Sequence, residues 1–209
     1  MAGRLGDLTG RLEGRVTLNP MRHIDLVGTI IYPALMILGP FIGFGGSGTV
    51  FGWGKPVPVI TRNLKKITRD DNLIAIAGPL ANLILVLVAY LGMVILALAI
   101  PGGRGAIIGA IQGQPFFAAS APQALAMLCW LMIRVNFALF FFNFLPIPPL
   151  DASRIVRNLL PYNALNTFDT IGRFGFIVIF IVGGFVVQLF MGPALTLVVT
   201  ALLPFLQIK

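Results

Sequence analysis

Residues 73–100 read LIAIAGPLANLILVLVAYLGMVILALAI, a run of 28 positions without a formally charged side chain. A helix that crosses the hydrocarbon core of a bilayer needs roughly 20 apolar residues. Residues 174–206 form a second stretch of this kind, and residues 122–146 form a third that is interrupted only by Arg134. Backbone groups in lipid must find hydrogen bonds within the protein, so each stretch is predicted to be a helix.

The composition separates this chain from soluble proteins. Of its 209 residues, 57% are hydrophobic and 11% are charged, whereas soluble domains carry about 25% charged residues. The net charge of +8 comes from basic residues between the apolar stretches, where membrane topology and anionic lipid headgroups account for them. No nucleic-acid partner is expected, because a basic, aromatic-rich soluble domain is lacking. We expect an all-α polytopic membrane protein with three to four transmembrane helices, placed in the lipid bilayer of a cell membrane.

The segment before residue 73 has a different character. Residues 1–26 are polar and are expected to be cytosolic, with a short strand over residues 15–18 that Asn19-Pro20 ends. Residues 27–45 are apolar but are broken by proline and glycine. Basic residues flank this segment on both sides, so the positive-inside rule favours a re-entrant segment over a short span. Both alternatives are kept, and the re-entrant one predicts that the segment lines a site.

The chain is expected to form one membrane domain over residues 1–209. Its membrane helices are predicted over residues 73–100, 122–146 and 174–206, and no internal repeat is visible. Gly192-Pro193 is expected to end or kink the last helix, because proline disrupts a helix interior.

Residues 143–151 read NFLPIPPLD, with three prolines in four positions. Proline lacks a backbone donor and has a fixed φ, so the preceding helix must end near Leu145. The proline stretch then brings Asp151 to the membrane edge, and a short amphipathic helix follows. Asp151 is either the N-cap of that helix or a metal ligand, because a carboxylate at the end of a membrane helix is costly and tends to be functional.

Polar or small residues inside the apolar stretches are further candidates. Residues 78–82 read GPLAN, which indicates either close helix packing or a helix beside a substrate cavity, with Gly78 and Asn82 binding substrate. Asn136 and Asn143 are seven positions apart and therefore share one helix face. Asn136 is a further candidate for substrate binding. Arg134 needs water or an acceptor at membrane depth, and the sequence assigns it no role.

Side chains that bind zinc are scarce. Cys129 is the single cysteine, so an intrachain disulfide and a cysteine-based zinc site are excluded. His23 is the single histidine, and a lone histidine is more often a hydrogen-bonded structural residue than a ligand.

Five segments together resemble the site-2 protease family of intramembrane zinc metalloproteases, in particular its compact bacterial branch. Each segment is weakly specific, but all five occur in the order of the family. They are LGDLT (5–9), RVTLNPMRHID (15–25), GKPVPV (54–59), GPLAN (78–82) and NFLPIPPLD (143–151).

The resemblance implies a zinc-dependent endopeptidase that cleaves membrane-embedded protein substrates. In this family a helix with H-E-x-x-H supplies two zinc histidines and the general base, and the aspartate of a later Leu-Asp-Gly motif is the third ligand. Asp151 matches that aspartate and would bind the single zinc ion. Asn143 matches a family asparagine that supports the substrate or the oxyanion.

Two departures from the family pattern bear on this expectation. Ala152 replaces the glycine after the aspartate and resists positive φ, so the turn is expected to differ slightly. The H-E-x-x-H motif is absent, and the position of the LGDLT segment implies that the motif would lie a few residues upstream of Met1. We therefore expect this sequence to be an N-terminally truncated gene model of a longer protein that carries the motif, and the alternative is a true relative without it.

Two rival functions follow from these departures. The first is a catalytically inactive relative that acts as a membrane binding protein. The second, less favoured, is a small transporter or channel subunit, which Arg134 would suit. That class is typified by inverted repeats and paired broken helices.

Overall fold

The computed structural model describes residues 1–17, 19–31, 33–34, 54–55, 57–114 and 120–207. The chain divides into two compact units, Met1–Asp70 and Asp71–Lys209. Within the described ranges the regular structure is entirely helical. The strand predicted over residues 15–18 is not confirmed, since residues 15–17 are irregular and Leu18 lies outside the described residues.

The described residues of the first unit form short helical segments joined by turns. They are helix α1 (Ala2–Leu5), helix α2 (Thr9–Leu12), two 3-10 turns (Pro20–Arg22 and Thr61–Asn63) and a π-helical turn (Leu26–Ile31). The start of the segment predicted to re-enter the membrane is therefore helical. Residues 35–53, which hold the rest of it, lie outside the described residues, so re-entry stays a prediction.

Asp7 is a buried carboxylate of the first unit that accepts several hydrogen bonds. It is 2% exposed, and its carboxylate accepts hydrogen bonds from the backbone N–H of Ile60 (2.9 Å), the side-chain amide of Asn63 (3.1 Å) and the backbone N–H of Thr9 (3.1 Å). The Thr9 hydroxyl donates to the same carboxylate. These donors, the Thr9 hydroxyl most of all, lower the pKa of Asp7 to about 2. The LGDLT segment is thereby tied to residues 60–63.

The helices that follow are longer. They are α3 (Ile67–Ala99), α4 (Gly103–Ile111), α5 (Ala121–Asn143), α6 (Asp151–Leu159), α7 (Tyr162–Arg173) and α8 (Gly175–Leu206). Among the described residues, three helices are long and apolar enough to cross a membrane: α3, α5 and the Gly183–Leu206 part of α8. This confirms the three predicted membrane helices. Helix α8 continues through Pro193 to Leu206, so Gly192-Pro193 does not end it, and the alternative of a kink at this position stays a prediction. Membrane helices tolerate proline because the freed backbone groups can be satisfied locally.

One apolar core joins the long helices of the second unit. Its most deeply buried side chains come from α3, α4, α5 and α8, and each is less than 2% exposed: Met93, Leu96, Ile107, Ile133 and Leu202. Many leucine and isoleucine side chains on these helices point outward instead, as expected for surfaces that face lipid tails. This core packs α3 against α5. The GPLAN segment (78–82) lies in the N-terminal half of α3, and Asn143 is the last residue of α5.

Candidate functional site

The proline-rich loop after α5 carries the chain to residue 151. Helix α5 ends at Asn143, which confirms the predicted end near Leu145. Pro148 packs on the junction of α7 and α8, where a Cβ atom on Gly175 would lie only 2.0 Å from the Pro148 carbonyl oxygen. Real Cβ atoms do not come that close, so glycine at position 175 lets the loop lie directly on the helix backbone.

Asp151 opens α6 but does not cap it. The N-cap position belongs to Leu150, and no side chain forms a capping hydrogen bond. The backbone N–H of Ser153 donates to the Leu150 carbonyl oxygen at 3.1 Å instead. The N-cap interpretation of Asp151 is therefore wrong. Ala152 is helical, and none of the described non-glycine residues has a positive φ, so the family glycine is not needed at this position.

The carboxylate of Asp151 lies against the backbone of α3 at Gly78. A Cβ atom on Gly78 would be 2.6 Å from Oδ2 and 3.5 Å from Cγ of Asp151. Two of the five segments that carry the family resemblance thus meet at this contact. Any side chain at position 78 would displace the carboxylate, so the glycine provides the space that Asp151 occupies.

Asp151 has electrostatic surroundings that suit a ligand. Its carboxylate is half-buried and accepts no hydrogen bond from the described residues. Burial raises its pKa, and the nearby charge of Arg154 acts in the opposite direction. A partly desolvated carboxylate with free lone pairs is stabilised by a cation, and this is the property that a metal ligand requires.

A group of polar side chains joins α6 to α3 on the N-terminal side of Gly78. Asp71 is 5% exposed, and its carboxylate accepts hydrogen bonds from the guanidinium of Arg154 and from the side-chain amide of Asn158, the latter at 2.9 Å. The same amide donates to Asn72 Oδ1 at 2.8 Å. We call these four residues the α3–α6 clamp.

The clamp and the Asp151–Gly78 contact lie on the same face of α6 and on the same face of α3. Asp151, Arg154 and Asn158 are spaced i, i+3, i+7, so they share one face of α6. Asp71 and Gly78 are seven residues apart and share one face of α3. The two helices therefore run antiparallel along these faces, and the clamp determines where the carboxylate of Asp151 lies.

The clamp was not predicted from the sequence. Asp71 and Asn72 precede the predicted span, and the helix after Asp151 was predicted only to be short and amphipathic. The available signal was the spacing of Asp151, Arg154 and Asn158, which places three polar side chains in a row on a short helix.

The other predicted site residues are not joined to Asp151 by any hydrogen bond within the described part of the chain. Asn136 is buried and donates to the Met132 carbonyl oxygen of its own helix at 2.8 Å. Asn82 and Asn143 are half-buried. The roles of these three residues in substrate or oxyanion binding stay predictions.

The imidazole and the backbone of His23 each contact another residue of the first unit. Its Nε2 atom lies 2.9 Å from the Thr17 carbonyl oxygen, and its own carbonyl accepts from the backbone N–H of Lys55 at 2.9 Å. Within the described ranges no three His, Cys, Asp or Glu residues are grouped so that they could hold a metal. A catalytic zinc site uses three protein ligands and a water, so the described residues alone do not complete such a site.

Comparisons with known proteins show the family of the chain. The sequence profile of peptidase family M50 matches residues 27–182. The chain is 35% identical over 179 residues to "Putative zinc metalloprotease YwhC" of Bacillus subtilis, and the match covers 85% of this chain and 68% of that protein. No solved structure gives a significant match. On this evidence the chain is a membrane protein that belongs to peptidase family M50, the site-2 protease family.

Proposed function

We propose that this chain belongs to a zinc-dependent endopeptidase that cleaves membrane-embedded segments of protein substrates, and that it supplies the aspartate ligand of the zinc. The observation that supports the proposal most is the contact between Asp151 and Gly78. The Asp151 carboxylate accepts no hydrogen bond from the described residues and lies against the α3 backbone, where glycine leaves it space. The family implies zinc. Asp151 would supply one ligand to it, and Asn143 would support the substrate or the oxyanion.

A second function is favoured by one observation. The sequence contains a single histidine, whose ring nitrogen lies beside the Thr17 carbonyl oxygen, and it contains no H-E-x-x-H motif. A protein that consisted of these residues alone would be a metal-free member of the family that binds membrane partners. The two functions differ in whether the gene product contains further zinc ligands.

The experiment that separates them uses the natural gene with an affinity tag at its 3′ end. The purified product is weighed by mass spectrometry, its zinc is measured by elemental analysis, and its cleavage of a membrane-anchored reporter is followed in proteoliposomes. A product heavier than the 22.5 kDa of this chain plus the mass of the tag, which contains zinc and cleaves the reporter, supports the endopeptidase. A product of that mass without zinc or cleavage supports the binding protein and rejects the endopeptidase.

A further inference from the structure

Arg134 is the single formal charge in α5. The helix has 23 residues, which corresponds to about 35 Å of length, and Arg134 follows its middle residue by two positions. The side chain is exposed on the helix surface. It forms no ion pair or hydrogen bond within the described part of the chain. When α5 is centred in a bilayer, this charge lies near the middle of the hydrocarbon core, which is about 30 Å thick.

Arg134 is not placed to reach the membrane surface. Side chains in a helix tilt towards its N-terminus, and the N-terminus of α5 is roughly 20 Å away along the axis. The C-terminus of α5 is closer, at roughly 14 Å, but the side chain tilts away from it. The guanidinium therefore needs an acceptor at membrane depth, because charged groups inside membranes pair with one another or face a polar cavity.

A groove extends from Arg134 along the outside of α4 and α5. Its volume is about 700 Å³, and its wall on α5 includes Leu128 and Leu131. Small residues, Ala110, Gly113 and Ala124, also line the groove. Small residues allow the backbone of a second helix to approach closely. We call this feature the α4–α5 groove.

We propose that the α4–α5 groove binds a transmembrane helix of a partner protein that carries a single Asp or Glu near the middle of the bilayer. The apolar wall matches the body of such a helix, and the small residues match its close approach. The carboxylate would pair with the guanidinium of Arg134, whose fork of donors binds carboxylates in two parallel hydrogen bonds. Lipid phosphates lie at the membrane surface and not at this depth, so the charge favours a helix over a lipid. The inference does not depend on the protease activity.

The test uses the full chain in phosphatidylcholine nanodiscs and synthetic transmembrane peptides. Each peptide has about 20 leucine and alanine residues with one central Glu, Gln or Leu and a fluorescent label, and binding is measured by energy transfer to a label on the chain. The Glu peptide is expected to bind roughly tenfold more tightly than the Gln and Leu peptides, as for a polar contact between membrane helices.

Substitutions at Arg134 test the pairing itself. Arg134→Leu should abolish the preference for the Glu peptide, and Arg134→Lys should retain most of it. Arg134→Glu should transfer the preference to a peptide with a central Lys. Arg104→Leu is the matched control, because Arg104 is a cation of α4 that does not line the groove. Ala124→Leu should weaken the binding of all peptides by filling the groove.

Equal binding of the three peptides to the natural sequence would overturn the proposal, as would a Glu preference that survives Arg134→Leu. The lipid alternative has its own signature. If phosphatidylglycerol in the nanodiscs binds in an Arg134-dependent manner and no peptide preference is found, the groove takes an anionic headgroup and the proposed partner is wrong. Arg134→Leu and Arg134→Lys are both checked for unchanged elution in size-exclusion chromatography.

Discussion

Asp7 and Asp151 are two shielded carboxylates in different units of the same chain, and their surroundings are opposite. Asp7 accepts four hydrogen bonds from three residues, and its pKa is lowered to about 2. Asp151 accepts none from the described residues and has a raised pKa because of burial. A carboxylate surrounded by donors is a structural anchor, whereas one without donors keeps its lone pairs for a cation. Burial alone therefore does not distinguish the two carboxylates, whereas the number of donors among the described residues does.

The largest expected effect distinguishes the two carboxylates directly. In the product of the natural gene, Asp151→Asn should remove zinc and lower cleavage of a membrane-anchored reporter by more than about 100-fold, because a catalytic metal contributes several kcal/mol to transition-state stabilisation. Asp7→Asn should retain zinc but lower the thermal stability of the protein. Elemental analysis and thermal unfolding in detergent measure the two properties. Retention of zinc in Asp151→Asn would remove the proposed difference.

Gly78→Ala should have the next largest effect. The new methyl group would occupy the space of Asp151 Oδ2, which lies 2.6 Å from the position of that Cβ atom, so the carboxylate must move. Displacing a ligand in this way is expected to lower zinc affinity by roughly 10- to 100-fold. Gly184→Ala is the matched control, since a Cβ atom there meets nothing within 4 Å. Zinc titration of both variants makes the comparison, and equal affinities would show that Asp151 does not need the space at Gly78.

The α3–α6 clamp should contribute more to stability than the exposed ion pair of the same helix. Asp71→Asn weakens the contacts of a buried carboxylate with Arg154 and Asn158, and we expect a loss of about 1.5–3 kcal/mol in the free energy of unfolding. Arg157 and Asp169 form two hydrogen bonds of 3.0 Å, but their side chains are about half exposed.

Asp169→Asn is therefore the matched control, with an expected loss below about 1 kcal/mol. Chemical unfolding in detergent, followed by tryptophan fluorescence, gives both values. A loss for Asp169→Asn as large as that for Asp71→Asn would mean that burial does not strengthen the clamp.

The smallest effect concerns the pH dependence of the first unit. Because the folded pKa of Asp7 is about 2 and its ordinary value is 3.8, the unfolded chain takes up this proton first as the pH falls. The stabilisation is thus complete above pH 3.8 and is lost as the pH falls towards 2. Limited proteolysis of residues 1–70 between pH 5 and pH 2 measures it. Asp7→Asn should flatten this dependence, and an unchanged slope in that variant would assign the acid sensitivity to other groups.

Several parts of the fold could be predicted because they depend on local pattern. Apolar runs longer than a bilayer requires, with at most one charged residue, predict membrane helices, and three such helices occur among the described residues. The prolines after Asn143 predict a helix end, and the helix ends there. Pro193 does not end α8, since a membrane helix continues past a proline when the freed backbone groups are satisfied locally.

The candidate site was predictable only where a motif marked it. The resemblance singled out Asp151 and Gly78 but did not indicate that they touch. The clamp pairs Asp71 with Arg154 across 83 positions of sequence, and no periodicity within one segment indicates such a pair. Asp7 belonged to a motif, yet its function as an anchor for Ile60 and Asn63 became visible only when residues more than 50 positions apart came together.

Hydropathy and helix-breaking residues thus determine that the chain is a helical membrane protein and where its long helices lie, because these properties depend on neighbours within about 20 residues. The amino-acid types also determine that this chain offers a single histidine. Only the tertiary structure decides that Asp7 accepts four hydrogen bonds, whereas Asp151 accepts none from the described residues. That choice depends on contacts between distant segments, and Gly78 and Asp151 meet only after α6 has packed along α3.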